Sequence, residues 1–282
     1  MTTSHKGTVL SDAAFDSIAT LLRSRAGLAI GPDQFYLMAI RLTPIARREG
    51  FRDIGALADR LTTPGSDQLM RDVIEAMTTN ESLFFRDCLP FQHLRDEVLP
   101  RLQATRPPGL PLRIWSAAAS TGQEAYSAAM TIAEYDVGNP SALNDRTIEI
   151  IGTDIARKPL SRASEGLYST FEVQRGLPLH LRQRYFCQEG ENWRISPKLR
   201  KAVEFREWNL LSELAPLGTF DVVFCRNVLL YFDGETKAKV LEAIAPQLAP
   251  DGVLYLGAAE TVLGLTNRFA GVSGLPGVFR PA

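Results

Sequence analysis

The sequence predicts an α/β protein in which an all-helical N-terminal region precedes an open parallel sheet. Residues 11–78 carry apolar residues at helical spacing and contain no strand candidate. From residue 112 onward, short apolar runs alternate with helical segments, which is typical of a sheet with helices on both faces. The apolar run 112–115 ends in small residues, 116–122, before a helical stretch begins. A strand, a small-residue turn and a helix in this order place backbone N–H groups at the edge of a ligand site.

Length and charge limit the classes of function. The 282 residues allow one large domain or two smaller ones. Hydrophobic residues make up 45% of the chain and charged residues 22%, as in an ordinary globular protein. The formal net charge of −1 gives no overall attraction to nucleic acid or to an anionic membrane. We therefore expect no nucleic-acid partner, and any charged partner must meet a local patch.

Signals for targeting, membrane insertion and metal binding are missing from the sequence. No apolar run approaches the roughly 18 residues of a membrane span, and the N-terminus lacks the apolar core of a signal peptide. Cys88, Cys187 and Cys225 are far apart and do not have metal-ligand spacing. We expect reduced, mostly structural thiols, no metal site, a cytoplasmic location and no direct membrane insertion.

Four helices are predicted in the N-terminal region, after a loose arm at residues 1–10. They are expected after an N-cap at Ser11, after Gly31, at residues 53–61 and at residues 67–77. Pro44 is expected to kink or restart the second helix, because proline lacks the backbone N–H that a helix interior uses. Four arginines lie close together in this region: Arg41, Arg47, Arg48 and Arg52. A solvated face is the simpler interpretation of the charge run, and a docking patch for an acidic partner is the alternative.

The stretch between the helical region and the sheet begins with polar residues and continues with apolar ones. This pattern predicts a capped helix that begins near residue 80 and continues to Pro100. In the simplest interpretation, Asn80 is an N-cap and Arg86 is a surface residue. Residues 104–111 contain prolines and a glycine, and are expected to be a linker into the sheet.

The sheet region is predicted to alternate strands and helices. The strands are expected at 112–116, 147–153, 202–206, 220–225, 253–257 and near 277–280, and the helices at 123–135, 158–164 and 234–248. An irregular polar stretch at 168–199 interrupts the alternation.

An acidic residue at the end of the second strand is a candidate ligand for ribose. Asp154 lies about thirty residues after Gly122, whereas a dinucleotide fingerprint has its acidic residue roughly 20 residues on. The G-x-G-x-x-G motif is also missing. Both observations disfavour an NAD-dependent oxidoreductase. A strand-end aspartate can also be no more than a cap.

Polar residues follow three predicted strands at the carboxyl ends, where open α/β sheets bind their ligands. Glu124 follows the first turn, Asp154 ends the second strand and Asn227 follows the strand at 220–225. A ribose on Asp154 and an ammonium near Glu124 would suit an adenosine with an amino-acid tail. S-adenosylmethionine (SAM) matches this description better than a dinucleotide does.

Four motifs in chain order resemble those of one enzyme family, the chemotaxis receptor methyltransferases (the CheR family). They are NESLFFR at 80–86, SAAASTGQEAY at 116–126, GTDI at 152–155 and FCRNVLLYF at 224–232. The resemblance runs over nearly the whole chain, with the motifs in the same order. The resemblance implies a SAM-dependent glutamate O-methyltransferase that acts on the cytoplasmic helices of chemoreceptors. It also implies an all-helical N-terminal domain and a Rossmann-like SAM-methyltransferase sheet with an inserted small β-subdomain.

The resemblance implies a division into three parts and a set of site residues. The parts are a helical receptor-docking domain at 1–78, a connecting helix and linker at 79–111, and a SAM-binding domain at 112–282 with its β-subdomain at about 168–199. The implied cofactor-binding residues are Asn80, Ser82, Arg86, Ala118, Glu124, Asp154, Asn209, Leu210, Asn227 and Val228. Ser82 stands where the family usually has threonine, so the hydroxyl is retained. The four arginines named above gain a role as a basic face for acidic receptor helices.

The implied chemistry makes modest demands on catalytic side chains. A glutamate carboxylate is already ionised at neutral pH, since its reference pKa is about 4.3, so it needs no general base. We therefore do not expect His5, His93 or His180 to be catalytic. Tyr231 would lie near the transferred methyl group, unless it is a core aromatic. An arginine, Arg86 or Arg226, could orient the incoming carboxylate.

The inserted β-subdomain bears on how a receptor is recognised. Short strands are expected at 185–186 and 193–195, around a loop at 188–192. Family members that bind a receptor's C-terminal tether peptide tend to have a longer loop with two nearby glycines, whereas this loop has Gly190 alone. We therefore predict an enzyme that does not depend on the tether. We also expect a monomer and S-adenosylhomocysteine (SAH) as the product. Two alternative functions are considered. One is a methyltransferase that acts on another protein or a small molecule, and the other is a SAM-binding scaffold without activity.

Overall fold

The computed structural model describes residues 10–107, 109–139, 143 and 146–282. The chain divides into two compact units. The first consists of the residues up to Thr79 together with Tyr231–Asp233, and the second of Asn80–Leu230 together with Gly234–Ala282. The predicted loose arm at residues 1–10 lies almost entirely outside the described residues.

The first unit is a helical bundle, as predicted. Its helices are α1 (Asp12–Ala26), α2 (Phe35–Arg48), α3 (Ile54–Leu61) and α4 (Asp67–Met77), with a 3-10 turn at Pro32–Gln34 before α2. Ser11 caps α1, because its hydroxyl accepts the N–H of Ala14 at 3.2 Å. Ile18, Leu22 and Leu42 are fully buried and form part of the core. In the described part of this unit there is no strand.

The sequence predicts that Pro44 kinks or restarts the second helix, and the structure contradicts the restart. Helix α2 continues through Pro44 from Phe35 to Arg48. Proline leaves the carbonyl of Ile40 without its helical donor. Both Ile40 and Pro44 are exposed, and water can therefore hydrate that carbonyl without breaking the helix.

The predicted helix start near residue 80 is also wrong. The helix begins at Leu89, and α5 (Leu89–His93), a π-helical turn (Leu94–Val98) and α6 (Leu99–Thr105) follow one another. The residues before it are irregular. The Phe84 side chain is fully buried between the rings of Tyr168 and Phe186. These tertiary contacts override the local helix signal, and Asn80 is not an N-cap.

A seven-stranded sheet forms the centre of the second unit. Its strands are β1 (Leu112–Ala117), β2 (Ile148–Asp154), β6 (Val203–Glu207), β7 (Phe220–Cys225), β8 (Leu248–Leu256), β9 (Phe269–Gly271) and β10 (Val278–Pro281). The order is β6-β2-β1-β7-β8-β10-β9. The first five strands pair in parallel, and β10 pairs antiparallel with β8 and β9. The parallel sheet was predicted, whereas β9 was not.

The order of the strands fixes where a ligand can bind. From β1 the chain moves outward to β2 and β6 on one side, and then returns to β7 and β8 on the other. The topological switch point therefore lies between β1 and β7, and ligands of open α/β sheets bind there, beyond the carboxyl ends of the strands. Helices α7 (Gln123–Gly138) and α12 (Gly234–Ile244) follow β1 and β7 in the chain.

A small antiparallel sheet is inserted between β2 and β6, within the stretch predicted to hold a β-subdomain. It contains β3 (Leu167–Ser169), β4 (Phe186–Glu189) and β5 (Asn192–Ile195) in the order β3-β5-β4. Short helices accompany it: α8 (Arg157–Glu165), α9 (Thr170–Gln174), α10 (Leu179–Tyr185) and α11 (Pro197–Lys201). Glu189 pairs with Asn192, so the β4–β5 hairpin turns through Gly190, whose φ is 61°, and Glu191.

Two further findings concern membranes and metals. In the described part of the chain, no helix has the length and apolar character that crossing a membrane requires. The same residues contain no group of histidine, cysteine and acidic side chains that could hold a metal ion. Cys88 and Cys187 are exposed free thiols, and Cys225 is buried in β7.

Candidate functional site

The turn after β1, residues 118–122, has an unusual backbone. Ala118, Ser120 and Gly122 have positive φ angles of 58°, 52° and 90°. A Cβ on Gly122 would lie 2.8 Å from the Cβ of Ala163 and 2.9 Å from the Phe205 ring. Glycine is therefore required where the turn enters α7, both for its conformation and for the space available.

Asp154 ties this turn to the end of β2. Its carboxylate accepts the backbone N–H of Ser120 at 2.8 Å and that of Ala156 at 2.9 Å. The side chain is buried, and the backbone N–H of Trp208 donates to the Asp154 carbonyl at 2.9 Å. The ends of β1, β2 and β6 therefore meet around this aspartate.

Glu124, in the first turn of α7, is a largely buried carboxylate with a cationic partner. It accepts the Ser116 hydroxyl at 2.8 Å and the Arg226 guanidinium at 3.0 Å, and 13% of its side chain is exposed. Burial raises the pKa of Glu124 above its usual value, and the positive charge of Arg226 opposes that increase. A second cation, such as an ammonium group, would stabilise the ionised form further.

Arg226 follows β7 directly, and 2% of its side chain is exposed. Besides Glu124, its guanidinium donates to the Arg86 carbonyl at 2.9 Å and to the Asp87 carboxylate at 2.6 Å. Its Nη1 and Nη2 donors are used inside the second unit, and its Nε–H is buried without a hydrogen-bond partner in the described part of the chain. Because its whole side chain is buried, Arg226 is not placed to orient an incoming substrate. That predicted role remains with Arg86, whose side chain is half-buried.

The 80–86 segment lies against the same strand ends. The Ser120 hydroxyl donates to the Asn80 carbonyl at 2.9 Å, and the N–H of Phe85 donates to the Ser127 hydroxyl at 2.9 Å. The structure thus brings Asn80 and the Arg86 backbone to the site that sequence reasoning predicted for them. Ser82 is half-buried within this segment.

The loop after β7 is held by Glu260, a residue that sequence reasoning missed. Asn227 has a positive φ of 58°. The Glu260 carboxylate accepts the backbone N–H groups of Asn227 at 2.8 Å, Gly257 at 2.6 Å and Leu230 at 3.2 Å. Glu260 follows β8, a fourth parallel strand end, so the rule that located the other site residues would also have located it.

The remaining cofactor candidates lie in the loops after β6 and β7. Asn209 accepts the N–H of Leu211 on its side-chain oxygen at 3.0 Å, which shapes the loop next to Trp208. Leu210 is buried, and Val228 is half-buried beside Asn227. Their predicted contacts with the cofactor stay predictions.

Tyr231 and the histidines complete the set of residues that the sequence analysis considered. Tyr231 is grouped with the first unit, where its carbonyl accepts the N–H of Ala29 at 2.9 Å, and its catalytic role stays a prediction. The His93 ring lies 2.8 Å from the Tyr255 hydroxyl, and His180 lies in α10. His5 lies outside the described residues.

The four arginines predicted to form a docking face have different surroundings. Arg41 donates to the carbonyls of Met77 at 2.9 Å and Thr78 at 3.0 Å, and so caps the end of α4. The other three arginines are exposed: Arg47, Arg48 and Arg52. Arg48 pairs with Asp72 and Glu49, and Arg52 lies 3.2 Å from Asp53. Arg47 makes no ion pair within the described chain.

The residues at the carboxyl ends of the strands fit SAM. Glu124 offers a buried negative charge to an ammonium group, and Asp154 offers carboxylate oxygens to ribose hydroxyls. The positive φ angles and small side chains of the β1 turn would let a ligand approach its backbone closely. When bound, SAM supplies an electrophilic methyl group on its sulfonium.

Two family profiles match consecutive parts of this chain. The family profile described as "CheR methyltransferase, all-alpha domain" matches residues 13–78, and the one described as "CheR methyltransferase, SAM binding domain" matches residues 80–277. The predicted family, fold class, cofactor and enzyme class are thereby confirmed, the last at the level of a SAM-binding methyltransferase.

Three relatives illustrate the similarity. The chemotaxis protein methyltransferase Cher2 of Pseudomonas putida is 38% identical over 269 residues, which cover 95% of this chain and 97% of that protein. Chemotaxis protein methyltransferase 1 of Pseudomonas aeruginosa is 40% identical over 269 residues, with the same coverage of 95% and 97%. The chemotaxis protein methyltransferase of Escherichia coli is 35% identical over 266 residues, covering 92% and 88%. The chain therefore belongs to the CheR family of SAM-binding methyltransferases.

Proposed function

We propose that this enzyme methylates glutamate side chains in the cytoplasmic helices of chemoreceptors and forms the glutamate 5-methyl esters used in chemotactic adaptation. The observation that carries the proposal is similarity over both regions of the chain to proteins named chemotaxis protein methyltransferases. Because receptor methylation sites face the cytoplasm, we expect the enzyme to act there. We expect it to act as a monomer.

The reaction can proceed without a general base. A carboxylate oxygen of the substrate glutamate attacks the methyl carbon, the carbon–sulfur bond breaks, and its electron pair remains on sulfur as SAH is formed. No proton is transferred, since the glutamate is already ionised at neutral pH. The protein must align oxygen, carbon and sulfur, and such positioning can contribute roughly 7–11 kcal/mol.

The proposed roles of the site residues follow from their charges and places. Glu124 binds the ammonium and Asp154 the ribose hydroxyls of SAM. The other cofactor contacts come from Asn80, Ser82, Arg86, Ala118, Asn209, Leu210, Asn227 and Val228. Tyr231 and Arg86 orient the incoming carboxylate, since a guanidinium can bind a carboxylate with two hydrogen bonds.

Receptor docking is proposed to use the exposed arginines of the helical unit. Arg47 is the strongest candidate, because it is exposed and makes no ion pair within the described chain. Arg48 and Arg52 can add to the basic surface, although neighbouring carboxylates partly neutralise them. Arg41 contributes to docking through its charge while it caps α4. Such rim charges act mainly on the association rate and its salt dependence.

The short β4–β5 hairpin supports methylation that does not depend on a tether peptide. A peptide that adds a strand to a sheet edge needs a long, accessible edge, and the loop of this hairpin has two residues, Gly190 and Glu191. Calorimetry with a free receptor C-terminal peptide should detect no binding at micromolar concentrations. Micromolar affinity for that peptide would contradict this part of the proposal.

The decisive experiment supplies methyl-labelled SAM and a panel of purified receptor cytoplasmic domains. We expect label on glutamates of the receptor helices, located by mass spectrometry of peptides, and its release by mild base as expected of a carboxyl methyl ester. Asp154→Ala is the control, and it should abolish labelling. Base-stable label, or label on a small molecule or an unrelated protein instead, would contradict the proposed acceptor.

A further inference from the structure

Residues 85–88 form a strained connection between the 80–86 segment and α5. Phe85, Asp87 and Cys88 have positive φ angles of 50°, 64° and 47°. The N–H of Leu89 donates to the Asp87 carbonyl, which closes a three-residue γ-turn on Cys88 with a ψ of −45°. Non-glycine residues in these conformations persist where surrounding contacts hold them. We call these residues the 85–88 turn.

Arg226 makes two of the contacts that hold this turn. One nitrogen of its guanidinium, Nη2, donates to the Arg86 carbonyl at 2.9 Å and to the Asp87 carboxylate at 2.6 Å. A second nitrogen, Nη1, donates to Glu124 at 3.0 Å. A single buried guanidinium thus joins the 85–88 turn to the carboxylate that is proposed to hold the ammonium of SAM.

The charge balance around Arg226 changes when a cation reaches Glu124. Without ligand, Arg226 faces the largely buried Glu124 on one side and Asp87, whose side chain is 46% exposed, on the other. An ammonium at Glu124 would share that carboxylate with the guanidinium. The attraction of Arg226 toward Asp87 and the Arg86 carbonyl would then dominate, because the buried guanidinium would no longer have Glu124 to itself.

We propose that Arg226 is a positioning residue that couples occupation of the SAM site to the conformation of the 85–88 turn. Filling the site tightens the turn and fixes the 80–86 segment, including Arg86, next to the donor. The inference rests on the proposed role of Glu124 in the SAM site. It assigns to Arg226 a function different from the substrate-orienting role that its sequence position indicated.

Asp87→Asn tests the coupling from the side of the turn. Asparagine tolerates positive φ but lacks the charge that Arg226 binds. We expect SAH to lower amide hydrogen exchange at residues 85–89 in the wild type and to do so much less in the variant. The Kd for SAH should change less than about threefold, whereas kcat at saturating SAM should fall about 100-fold, since small misplacements cost that much. Asp96→Asn, another exposed aspartate paired with an arginine, should match the wild type.

Arg226→Lys provides the second test. Lysine keeps the positive charge beside Glu124 but lacks the second guanidinium nitrogen, which donates to the 85–88 turn. We expect a folded protein that binds SAH within about tenfold of the wild type and has lost the SAH-dependent protection of residues 85–89. If both variants keep that protection and a wild-type kcat, the proposal is wrong. Exchange and SAH binding need no methyl acceptor, so a different acceptor would leave these tests intact. Failure of the wild type to bind SAH would instead contradict the proposed SAM site.

Discussion

The amino ends and the carboxyl ends of the parallel strands hold charged side chains in different ways. We call these two sides of the sheet the amino edge and the carboxyl edge. At the amino edge, where β1, β2 and β7 begin, Arg113 pairs with Glu149 at 2.8 Å, and its backbone N–H donates to Asp221 at 2.9 Å. Asp221 also pairs with Arg106 at 2.8 Å, and Arg106 in turn pairs with Asp251. At the carboxyl edge, the side chains of Glu124, Arg226 and Asp154 lie next to irregular backbone segments, and Arg226 and Asp154 form hydrogen bonds with backbone groups of those segments.

Backbone conformation separates the two edges more clearly than charge does. Every non-glycine residue with a positive φ in the described chain lies in a segment at the carboxyl edge. These residues are Phe85, Asp87, Cys88, Ala118, Ser120 and Asn227. Each costs of order 1–3 kcal/mol and persists because its surroundings determine it. We conclude that the amino-edge ion pairs serve stability and that the carboxyl-edge ones support a binding site.

The largest expected effect comes from removing the carboxyl-edge charge. Glu124→Gln keeps the shape of the side chain but leaves Arg226 without its buried partner and the ammonium of the cofactor without a counter-charge. SAH binding should weaken by about 2–4 kcal/mol, or roughly 30- to 1,000-fold. Isothermal titration calorimetry at pH 7.5 measures this directly. A change of less than about threefold would mean that Glu124 does not meet the ammonium.

A smaller effect is expected from filling the space at the β1 turn. Gly122→Ala places a methyl group 2.8 Å from Ala163 at a φ of 90°, and should lower the free energy of unfolding by about 2–3 kcal/mol. Gly50→Ala is the matched control, since Gly50 also has a positive φ of 76° but nothing within 4 Å of the added carbon. It should cost about 1 kcal/mol. If thermal melts gave the two variants equal losses of stability, the close contacts at the β1 turn would make no contribution to the effect of Gly122→Ala.

A substitution at the amino edge is expected to lower stability without changing the affinity for SAH. Asp221→Asn removes the buried negative charge beside Arg106 and leaves one oxygen where two now accept from Arg106 and from the Arg113 N–H. It should lower stability by about 1–2 kcal/mol, because Arg106 is only partly buried. The Kd for SAH at a temperature where the protein is folded should not change. A tenfold weaker SAH affinity together with unchanged stability would reverse the functions we assign to the two edges.

Sequence alone predicted the parts of the molecule in which local pattern and tertiary structure agree. The predicted bounds of α4 and β7 are those observed, and the strand-end rule located Glu124, Asp154 and Asn227. These predictions succeeded because periodicity and parallel-sheet topology constrain many residues at once.

The failures occurred where contacts distant in sequence decide the backbone. The helix predicted from residue 80 is replaced by the 85–88 turn, since a hydroxyl of α7 and a guanidinium after β7 hold that segment. Neither partner can be recognised from local sequence. Glu260 was not predicted, although it follows β8, whose observed end at Leu256 lies one residue before the predicted end at 257.

The smallest expected effect concerns pH. Burial raises the pKa of Glu124, so on acidification Glu124 takes up a proton at a higher pH than an ordinary glutamate with a pKa of 4.5 would. The protonated side chain cannot attract an ammonium. SAH affinity should therefore fall as the pH falls through the raised pKa, by at most about tenfold per pH unit.

The same titration has the opposite sign for folding of the cofactor-free protein. A carboxyl group whose pKa is raised in the folded state lowers the stability of the fold when it is ionised. This loss of stability becomes smaller as the pH falls through the raised pKa.

The pH dependence of SAH affinity can be measured by calorimetry between pH 5 and 8, in the wild type and in Glu124→Gln. The comparison separates the titration of Glu124 from that of the ligand, because the ligand is common to both proteins. The variant should show a flatter affinity profile. Parallel profiles would place the titrating group outside the carboxyl edge and remove the electrostatic distinction between the two edges.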